Sequence, residues 1–131
     1  MKNFSLQKVE EIEGEKPFYK LIIDENCLYD EFEAQIRKEG NWAKQLNTIQ
    51  TRMLAVADGN LLSKEKFRDI TPKKEAVKEY EIKAPNLRVY LIEHTHSGKI
   101  IIFAGRKTTQ DKDITKFRNL KAEYLASLAE E

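Results

Sequence analysis

The chain has 131 residues, of which 40% are hydrophobic and 34% are charged, and its formal net charge is +1. This length suits one domain, residues 1–131, and no run approaches the roughly 18 consecutive apolar residues of a membrane helix. The first residues lack the apolar stretch of a secretory signal, and the one cysteine, Cys27, cannot form an internal disulfide. We therefore expect a cytoplasmic protein that does not enter a membrane.

The charge is distributed unevenly along the chain. Residues 1–40 carry 6 basic and 10 acidic side chains, whereas residues 80–121 carry 9 basic and 4 acidic ones. Such an asymmetry is typical of a protein with one basic surface that binds a polyanion. Ordinary variation among solvated helix faces produces the same counts, so charge alone leaves both interpretations open.

The N-terminal half is predicted to form a strand and two helices. Residues 18–23 are aromatic and β-branched, which is typical of a buried strand. Apolar residues then recur at helical spacing in two segments that end at Gly40 and Gly59. The two stripes consist of Leu28, Phe32 and Ile36, and of Trp42, Leu46, Ile49, Met53 and Val56. This pattern predicts a helical hairpin whose apolar stripes pack in the core.

The C-terminal half is predicted to form three strands and a helix. Residues 60–79 are polar and predict a loop, whereas residues 80–107 contain three strand-like runs. The predicted last helix has an apolar side formed by Ile114, Phe117, Leu120, Tyr124 and Leu128. The order β-α-α-β-β-β-α predicts an α+β fold. We expect a small antiparallel sheet with the helical hairpin and the C-terminal helix packed on one face.

A two-residue turn at Ser97-Gly98 would pair His96 with Lys99 and thereby assign the side chains of the last hairpin to two faces. One face is apolar and is expected to meet the helices; it carries Leu87, Val89, Leu91, Ile100, Ile102 and Ala104. The opposite face mixes basic, aromatic and aliphatic residues and is expected to be partly open; it carries Arg88, Tyr90, Ile92, His94, Ile101, Phe103 and Lys107.

The same register places Arg88 opposite Lys107. Two cations that face each other across a strand pair repel, so this arrangement indicates a site for an anion. A four-residue loop would instead place Arg88 opposite Gly105, and a bulge at Gly105 would turn Arg106 towards the open face. The contact therefore depends on the turn, which the sequence leaves open.

A basic sheet face with aromatic neighbours suits a nucleic-acid backbone, because cations attract phosphates and rings stack on unpaired bases. RNA cleavage is the economical reaction there, since the substrate supplies its own 2′-hydroxyl nucleophile. Clustered Arg and Lys side chains stabilise charge on the phosphorus oxygens and transfer protons. We expect no metal, because no Cys or carboxylate joins His94 and His96 in a ligand set. The alternative is that Lys83 and Arg88 are ordinary solvated strand residues.

Four short motifs carry a resemblance to a known family. They are Tyr80-Glu-Ile-Lys83, Leu87-Arg88-Val89-Tyr90, Ile100-Ile-Ile-Phe103 and Gly105-Arg106-Lys107, followed by a helix. Over residues 18–126 the chain resembles the RelE/ParE superfamily of bacterial toxins, particularly its HigB-like, phage-derived branch. The resemblance implies the toxin of a type II toxin–antitoxin system, most often a ribosome-dependent, metal-independent endoribonuclease that cuts messenger RNA.

The resemblance also implies partners and site residues. The expected partners are a small antitoxin protein of the helix-turn-helix class and messenger RNA on the ribosome, with no cofactor. The implied catalytic residues are Lys83, Arg88, Arg106 and Lys107, and the implied substrate-binding residues are Tyr90, His94 and Phe103. Many active members carry a Tyr or His soon after the terminal basic pair, whereas residues 108–113 here contain neither. The alternative is therefore a non-catalytic binding module of the same fold, either gyrase-directed or able only to bind an antitoxin.

Overall fold

The computed structural model describes residues 2–94 and 98–129, and within them it contains six strands and three α-helices. The strands are β1 (Phe4–Lys8), β2 (Phe18–Ile23), β3 (Phe67–Asp69), β4 (Lys78–Lys83), β5 (Leu87–His94) and β6 (Gly98–Arg106). The helices are α1 (Leu28–Glu39), α2 (Ala43–Ala57) and α3 (Gln110–Ala129), and a 3₁₀ turn, Lys107–Thr109, leads into α3. The predicted α+β class is confirmed.

The six strands form one sheet in the order β1-β2-β6-β5-β4-β3. Strand β2 lies parallel to β6, and all other neighbouring strands are antiparallel. The predicted small antiparallel sheet is therefore wrong, because the sheet is mixed and includes two further edge strands. Strands β2 and β6 are parallel because of the route of the chain. Helices α1 and α2 carry it across the sheet to β3, and β4, β5 and β6 then return strand by strand to the side of β2.

Strand β2 and the three helices match the segments that the sequence predicts. Helix α1 ends at Gly40, whose backbone is left-handed with φ of 83° and whose N–H donates to the Ile36 carbonyl at 3.0 Å. Gly59, which follows α2, has the same φ of 83°. Glycine adopts this conformation without the steric cost of a Cβ, so both glycines act as the expected helix stops.

The two edge strands lack a clear sequence signal. In β1, the side chains of Phe4 and Leu6 are only partly buried, and β3 contains three residues inside the segment predicted to be a loop. The loop prediction for residues 60–79 is therefore wrong at β3 and at the first two residues of β4. In β1 the apolar alternation is limited to Phe4 and Leu6, and β3 contains one apolar residue, so both are too short for the alternation on which strand prediction depends.

Helices cover both faces of the sheet, which corrects the prediction of helices on one face. Helices α1 and α2 contribute Ile36 and Ile49 to a core that includes Val89 and Leu91 of β5. Helix α3 contributes Phe117, Leu120 and Tyr124 to a second core on the opposite side. The reason lies in β5, where the six residues from 87 to 92 are all buried, so both of its faces need a covering layer.

The pairing of β5 with β6 contains a β-bulge between Tyr90 and Leu91. Tyr90 lies opposite Phe103 and Leu91 lies opposite Ile101, so Ile102 is the extra residue. The bulge reverses the predicted faces of the three isoleucines: Ile101 joins the core under α1 and α2, whereas Ile100 and Ile102 join the core under α3.

The bulge also settles the position of Arg88 in the ladder. Arg88 lies opposite Gly105, and His94 pairs with Gly98. The predicted pairing of Arg88 with Lys107 is therefore wrong, and the pairing expected from a longer loop is the one observed. The predicted two-residue turn at Ser97-Gly98 is also wrong, because Gly98 pairs with His94 and Lys99 pairs with Glu93; His96 and Ser97 themselves lie outside the described residues.

Strand β6 and helix α3 are in close contact at Gly105. The carboxylate of Asp113, in the first turn of α3, occupies the space that a side chain at Gly105 would need. Asp113 is buried and accepts a hydrogen bond from the Thr109 hydroxyl. Position 105 therefore requires glycine for reasons of space as long as Asp113 is present.

We predict that Gly105→Ala lowers the free energy of unfolding by about 1–3 kcal/mol, because the new methyl group collides with the Asp113 carboxylate. Urea denaturation measures this cost. In an Asp113→Ala background the same substitution should cost much less, since the colliding atoms are gone. Equal costs in the two backgrounds would contradict the proposed contact.

Candidate nucleic-acid interface

Basic residues from three parts of the chain meet at the end of the sheet where residues 84–86 connect β4 to β5. Lys83 and Arg88 are cross-strand neighbours, and Arg106 pairs with Leu87. The Lys107 N–H donates to the Asn86 carbonyl at 2.9 Å, and the Arg52 guanidinium of α2 donates to the Lys83 carbonyl. We call this set the basic edge: Arg52, Lys83, Arg88, Arg106 and Lys107. The backbones of the four predicted catalytic residues thus meet at one end of the sheet. Arg106, opposite Leu87 and over the Trp42 ring, lies on the face under α1 and α2, whereas Lys83, beside Glu81, lies on the face under α3.

Side-chain hydrogen bonds hold the turn at the basic edge. The Gln45 amide of α2 donates to Asn86 Oδ1 at 2.8 Å, and the Asn86 N–H donates to Gln45 Oε1 at 2.8 Å. From inside the sheet, Arg88 Nη1 donates to the carbonyls of Ala84 at 2.6 Å and Leu87 at 2.9 Å. Because Arg88 is only 7% exposed, its role in this structure is to order the turn.

Two members of the basic edge are paired with carboxylates. Lys83 Nζ lies 3.5 Å from Glu81 Oε1, and the Arg106 guanidinium forms an ion pair with Glu39. Hydrogen bonds from Gln35 and from Arg106 hold the pKa of Glu39 below its usual range. Within the described ranges, the other three cations have no carboxylate at ion-pair distance, so the basic edge keeps a positive excess.

The N-terminal end of α3 adjoins the basic edge. A cavity of about 450 Å³ is lined by residues 107–112, which include Lys107, Lys112 and two threonines. Free backbone N–H groups at the start of a helix attract anions, and the neighbouring lysines add positive charge. Asp111 lies in the same cavity and offsets part of that charge. The cavity shares Lys107 with the basic edge, and its lysines and threonines suit a phosphate group.

Tyr90, predicted to lie on an open face, is completely buried. Its ring stacks on Phe117 with centroids 5.6 Å apart and an interplanar angle of 25°. Burial, with a smaller effect of the Glu81 carboxylate, raises the pKa of the Tyr90 hydroxyl above its usual range. Phe103 is half-buried beneath Lys116, whose Nζ lies 5.5 Å from the ring centroid. The predicted open face is therefore wrong for Tyr90, which α3 covers completely, whereas Phe103 is only partly covered.

His94 lies far from the other predicted site residues. It is the last residue of β5, six positions beyond Arg88, which corresponds to about 20 Å along a strand. Its Nδ1 is buried and has no hydrogen-bond partner among the residues that the structure describes. The structure therefore separates His94 from the basic edge, and a proton acceptor there has to come from another side chain.

A buried charge network between β4 and α3 escaped sequence analysis. Glu79 Oε1 lies 2.9 Å from Arg118 Nε, and Glu79 Oε2 lies 2.8 Å from Lys121 Nζ. At the start of α3, about two turns before Arg118, Gln110 Nε2 donates to Glu81 Oε2 at 3.1 Å. The sequence contained two signals of this network. Glu79, Glu81 and Lys83 alternate along β4, and Arg118 and Lys121 lie one turn apart beside the apolar side of α3.

Across residues 2–94 and 98–129, three polar atoms beneath α3 are buried without a hydrogen-bond partner. They are Glu81 Oε1, Arg88 Nε and the Tyr90 hydroxyl. Lys83 lies within ion-pair distance of Glu81 Oε1 but does not meet hydrogen-bond geometry. An unsatisfied buried polar atom typically costs about 1–3 kcal/mol, so this part of the α3 interface is less favourable than the apolar part.

Comparisons of the chain with protein-family models, with curated proteins and with solved structures returned no match. Across residues 2–94 and 98–129, no helix has both the length and the apolar composition required to cross a membrane. In the same part of the chain, no group of three or more His, Cys, Asp or Glu side chains is arranged to hold a metal ion.

We predict that Tyr90→Phe raises the free energy of unfolding at pH 7 by up to about 1–3 kcal/mol, because it removes a buried hydroxyl that has no partner within the described residues. Above about pH 10 the unfolded tyrosine ionises while the buried one stays protonated, so the wild type loses stability as the pH rises. Tyr90→Phe should lose less stability than the wild type between pH 10 and about pH 11, which is one unit above the unfolded pKa. Urea midpoints at pH 7 and at the alkaline pH measure both effects, and a clear loss at pH 7 would contradict the unpartnered hydroxyl.

Proposed function

We propose that this chain is the toxin of a type II toxin–antitoxin pair of the RelE/ParE type, and that it cleaves messenger RNA on the ribosome at the basic edge. The observation that carries this proposal is the convergence of Lys83, Arg88, Arg106 and Lys107 at one end of the sheet. The core elements also follow the chain order that the family resemblance implies: a strand, a helical hairpin, three antiparallel strands and a helix. A small antitoxin of the helix-turn-helix class belongs to the same proposal.

The reaction requires little from the protein except charge and proton transfer. The 2′-hydroxyl oxygen of RNA attacks the adjacent phosphorus, and the bond from phosphorus to the 5′-oxygen breaks. The proton of the 2′-hydroxyl passes to a base, and the departing 5′-oxygen takes up a proton. The products are a 2′,3′-cyclic phosphate and a free 5′-hydroxyl. Negative charge on the non-bridging oxygens increases in the transition state, so fixed cations lower the barrier.

The positions of the basic residues suggest different roles. Lys107 is exposed and lies between the sheet and α3, where it can contact a phosphate without rearrangement. Arg106 lies over the Trp42 ring, with its guanidinium carbon 5.7 Å from the ring centroid, and is only half-exposed. Lys83, which is partly exposed, is the candidate for proton transfer. Arg88 supports the turn from beneath, so we assign it a positioning role and not the phosphate contact that the resemblance implies.

One observation favours a second function. The Tyr90 hydroxyl is buried beneath α3 and His94 lies at the other end of β5, so neither can accept the 2′-hydroxyl proton at the basic edge. A non-catalytic module of the same fold would need no such group. In that case the basic edge would serve binding alone, either in a gyrase-directed toxin or in a protein that only binds an antitoxin.

We predict that Lys107→Ala, alone and combined with Arg106→Ala, relieves growth arrest when the chain is expressed without an antitoxin. Loss of one cation that stabilises the transition state typically costs about a hundredfold in rate. Messenger RNA cleavage on translating ribosomes, mapped at the cut ends, provides the direct measurement. Lys8→Ala is the matched control, because Lys8 is an exposed lysine on the edge strand β1, away from the basic edge.

The outcomes separate the two functions. Cleavage that disappears in the Lys107 and Arg106 variants but persists in the Lys8 control supports the endoribonuclease. Arrest with DNA damage and intact messenger RNA supports the gyrase-directed alternative. Unchanged RNA cleavage in the folded double variant would remove the basic edge from the proposal. Circular dichroism of each variant confirms that it is folded; Arg88→Ala is a poor test, because it removes the hydrogen bonds that hold the turn.

A further inference from the structure

The two outer strands of the sheet present different lengths of open backbone. Strands β1 and β3 each pair with one neighbour, so each has one edge with no further strand within the part of the chain that the structure describes. Strand β3 has only three residues, and short edge strands are one means by which proteins prevent sheet extension. Strand β1 has five residues, Phe4–Lys8, with neither a proline nor a bulge among them. Strand β1 is therefore the edge that can accept another strand.

The hydrogen bonds between β1 and β2 determine which backbone groups of β1 face away from the sheet. The Asp24 N–H donates to the Asn3 carbonyl at 2.8 Å, and the Val9 N–H donates to the Phe18 carbonyl at 2.9 Å. Residues whose backbone bonds to the neighbouring strand alternate along an antiparallel strand. Residues 3, 5, 7 and 9 therefore bond to β2.

The backbone N–H and carbonyl groups of Phe4, Leu6 and Lys8 consequently point away from β2. Among the described residues, no strand or other backbone group pairs with them. Ser5 and Gln7, which lie between them, have exposed side chains. We call this strip, residues 4–8, the β1 edge. Its free donors and acceptors are those with which a further antiparallel strand would pair.

A second copy of β1 complements the β1 edge in one symmetric register. Outward groups must pair with outward groups, so the candidate registers differ by steps of two residues. Leu6 opposite Leu6 aligns all of β1, whereas every other symmetric register leaves part of the strand unpaired. A register with Phe4 opposite Leu6 would also set Lys2 against Lys8, and one with Lys8 opposite Lys8 would bring two cations together. The full register avoids both contacts.

The side chains of the β1 edge suit this register. Leu6 is partly buried against the core under α3, and the same side chain of the second copy would cover its exposed part. On the other face of the sheet, Ser5 would meet Gln7 of the second copy, and both side chains are uncharged. An apolar contact thus forms on one face and a polar contact on the other.

Charge complementarity favours the same register. Lys2 of one copy approaches Glu10 of the other, and Lys8 faces the uncharged Phe4. Lys2 Nζ already lies 2.7 Å from Glu123 of its own α3, so the lysine would lie between two carboxylates. From residue 2 to residue 10 of the two copies, like charges do not lie opposite each other. The β1 edge is therefore complementary to itself, as a closed two-fold interface requires.

We propose that two copies of the chain associate through their β1 edges, with Leu6 at the two-fold axis and about six main-chain hydrogen bonds between the strands. The two six-stranded sheets then form one continuous sheet. The axis is normal to the sheet, so the two basic edges lie at opposite ends of it. This inference does not rest on the proposed function, because the residues of the basic edge lie outside β1.

Sedimentation equilibrium of the full chain measures the association. Concentrations from the micromolar range up to about 1 mM detect even a millimolar dissociation constant, and we expect the molar mass to rise from one chain to two. Ser5→Glu/Gln7→Glu places like charges opposite each other twice across the axis and should weaken the dimer about tenfold. Ser5→Lys/Gln7→Glu is the matched control, because opposite charges then meet at the same two positions and the dimer should persist.

A disulfide cross-link tests the register without a change of charge. Residues 5 and 7 of the two copies form a pair without main-chain hydrogen bonds, in which the Cα atoms lie about 4.5 Å apart, within the range of a disulfide. We expect a mixture of Ser5→Cys and Gln7→Cys chains to form a covalent dimer under mild oxidation. Each variant alone should form much less, because its own cysteines are not opposite each other. Cys27 is buried and common to both variants.

Association that weakens only in Ser5→Glu/Gln7→Glu, together with cross-linking in the mixture, supports the proposal. A chain that stays monomeric up to about 1 mM would overturn it. A dimer that both double variants leave unchanged, or weaken equally, would place the contact away from the β1 edge and also overturn it. Equal cross-linking in the mixture and in the separate variants would overturn the register, and growth beyond the dimer would overturn the two-fold pairing. Circular dichroism confirms that each variant is folded.

Discussion

The burial of β5 on both faces is the constraint on which the rest of the structure depends. Its residues 87–92 are all buried, so a single layer of helices could not remove them from water. Helices α1 and α2 cover one face and α3 covers the other, which makes β5 the centre of a three-layer domain. Both hydrophobic cores are anchored on this strand, and its two ends are the places where polar chemistry becomes possible.

The basic edge is a direct result of this arrangement. Charged side chains cannot enter a three-layer interior without partners, because removing a charge from water is costly. Lys83, Arg88 and Arg106, from β4, β5 and β6, lie at one end of the sheet beside the N-terminal end of α3, whereas Lys78 and Lys99 lie towards the other end. Arg88 is buried, and its guanidinium is compensated by two backbone carbonyls of the adjoining turn. A cation that orders the turn thus lies next to cations that are proposed to bind phosphate.

The sequence predicted local elements well and the assembly of layers poorly. Gly40 and Gly59 end their helices where expected, because a left-handed glycine is a local signal. The meeting of Lys83 and Arg88 was also predictable, since a tight turn between two strands makes their ends neighbours. In contrast, the apolar side of α3 predicts that the helix packs against the sheet but does not indicate which face it covers. Tyr90 is buried because α3 packs on its face of the sheet.

Non-local effects account for the other differences. The bulge at Ile102 depends on how β6 fits between β2 and β5, and no residue in the run Ile100-Ile-Ile marks it. The burial of Glu79 depends on Arg118 and Lys121, which lie about forty positions later in the chain. A carboxylate in a strand is ordinarily expected to face solvent. Glu79 is buried because α3 packs against it.

The Glu79 network has a further consequence for how α3 finds its place. An apolar helix face on an apolar sheet tolerates sliding by one turn, because Leu, Phe and Ile side chains form contacts of similar energy in either position. Glu79 accepts from both Arg118 and Lys121, and Lys121 also donates to the Val77 carbonyl at 2.8 Å, so a displaced helix would leave a buried carboxylate without partners. The network therefore fixes α3 at a single position along its axis. Sequences that diverge from this one are expected to change these three side chains together or not at all.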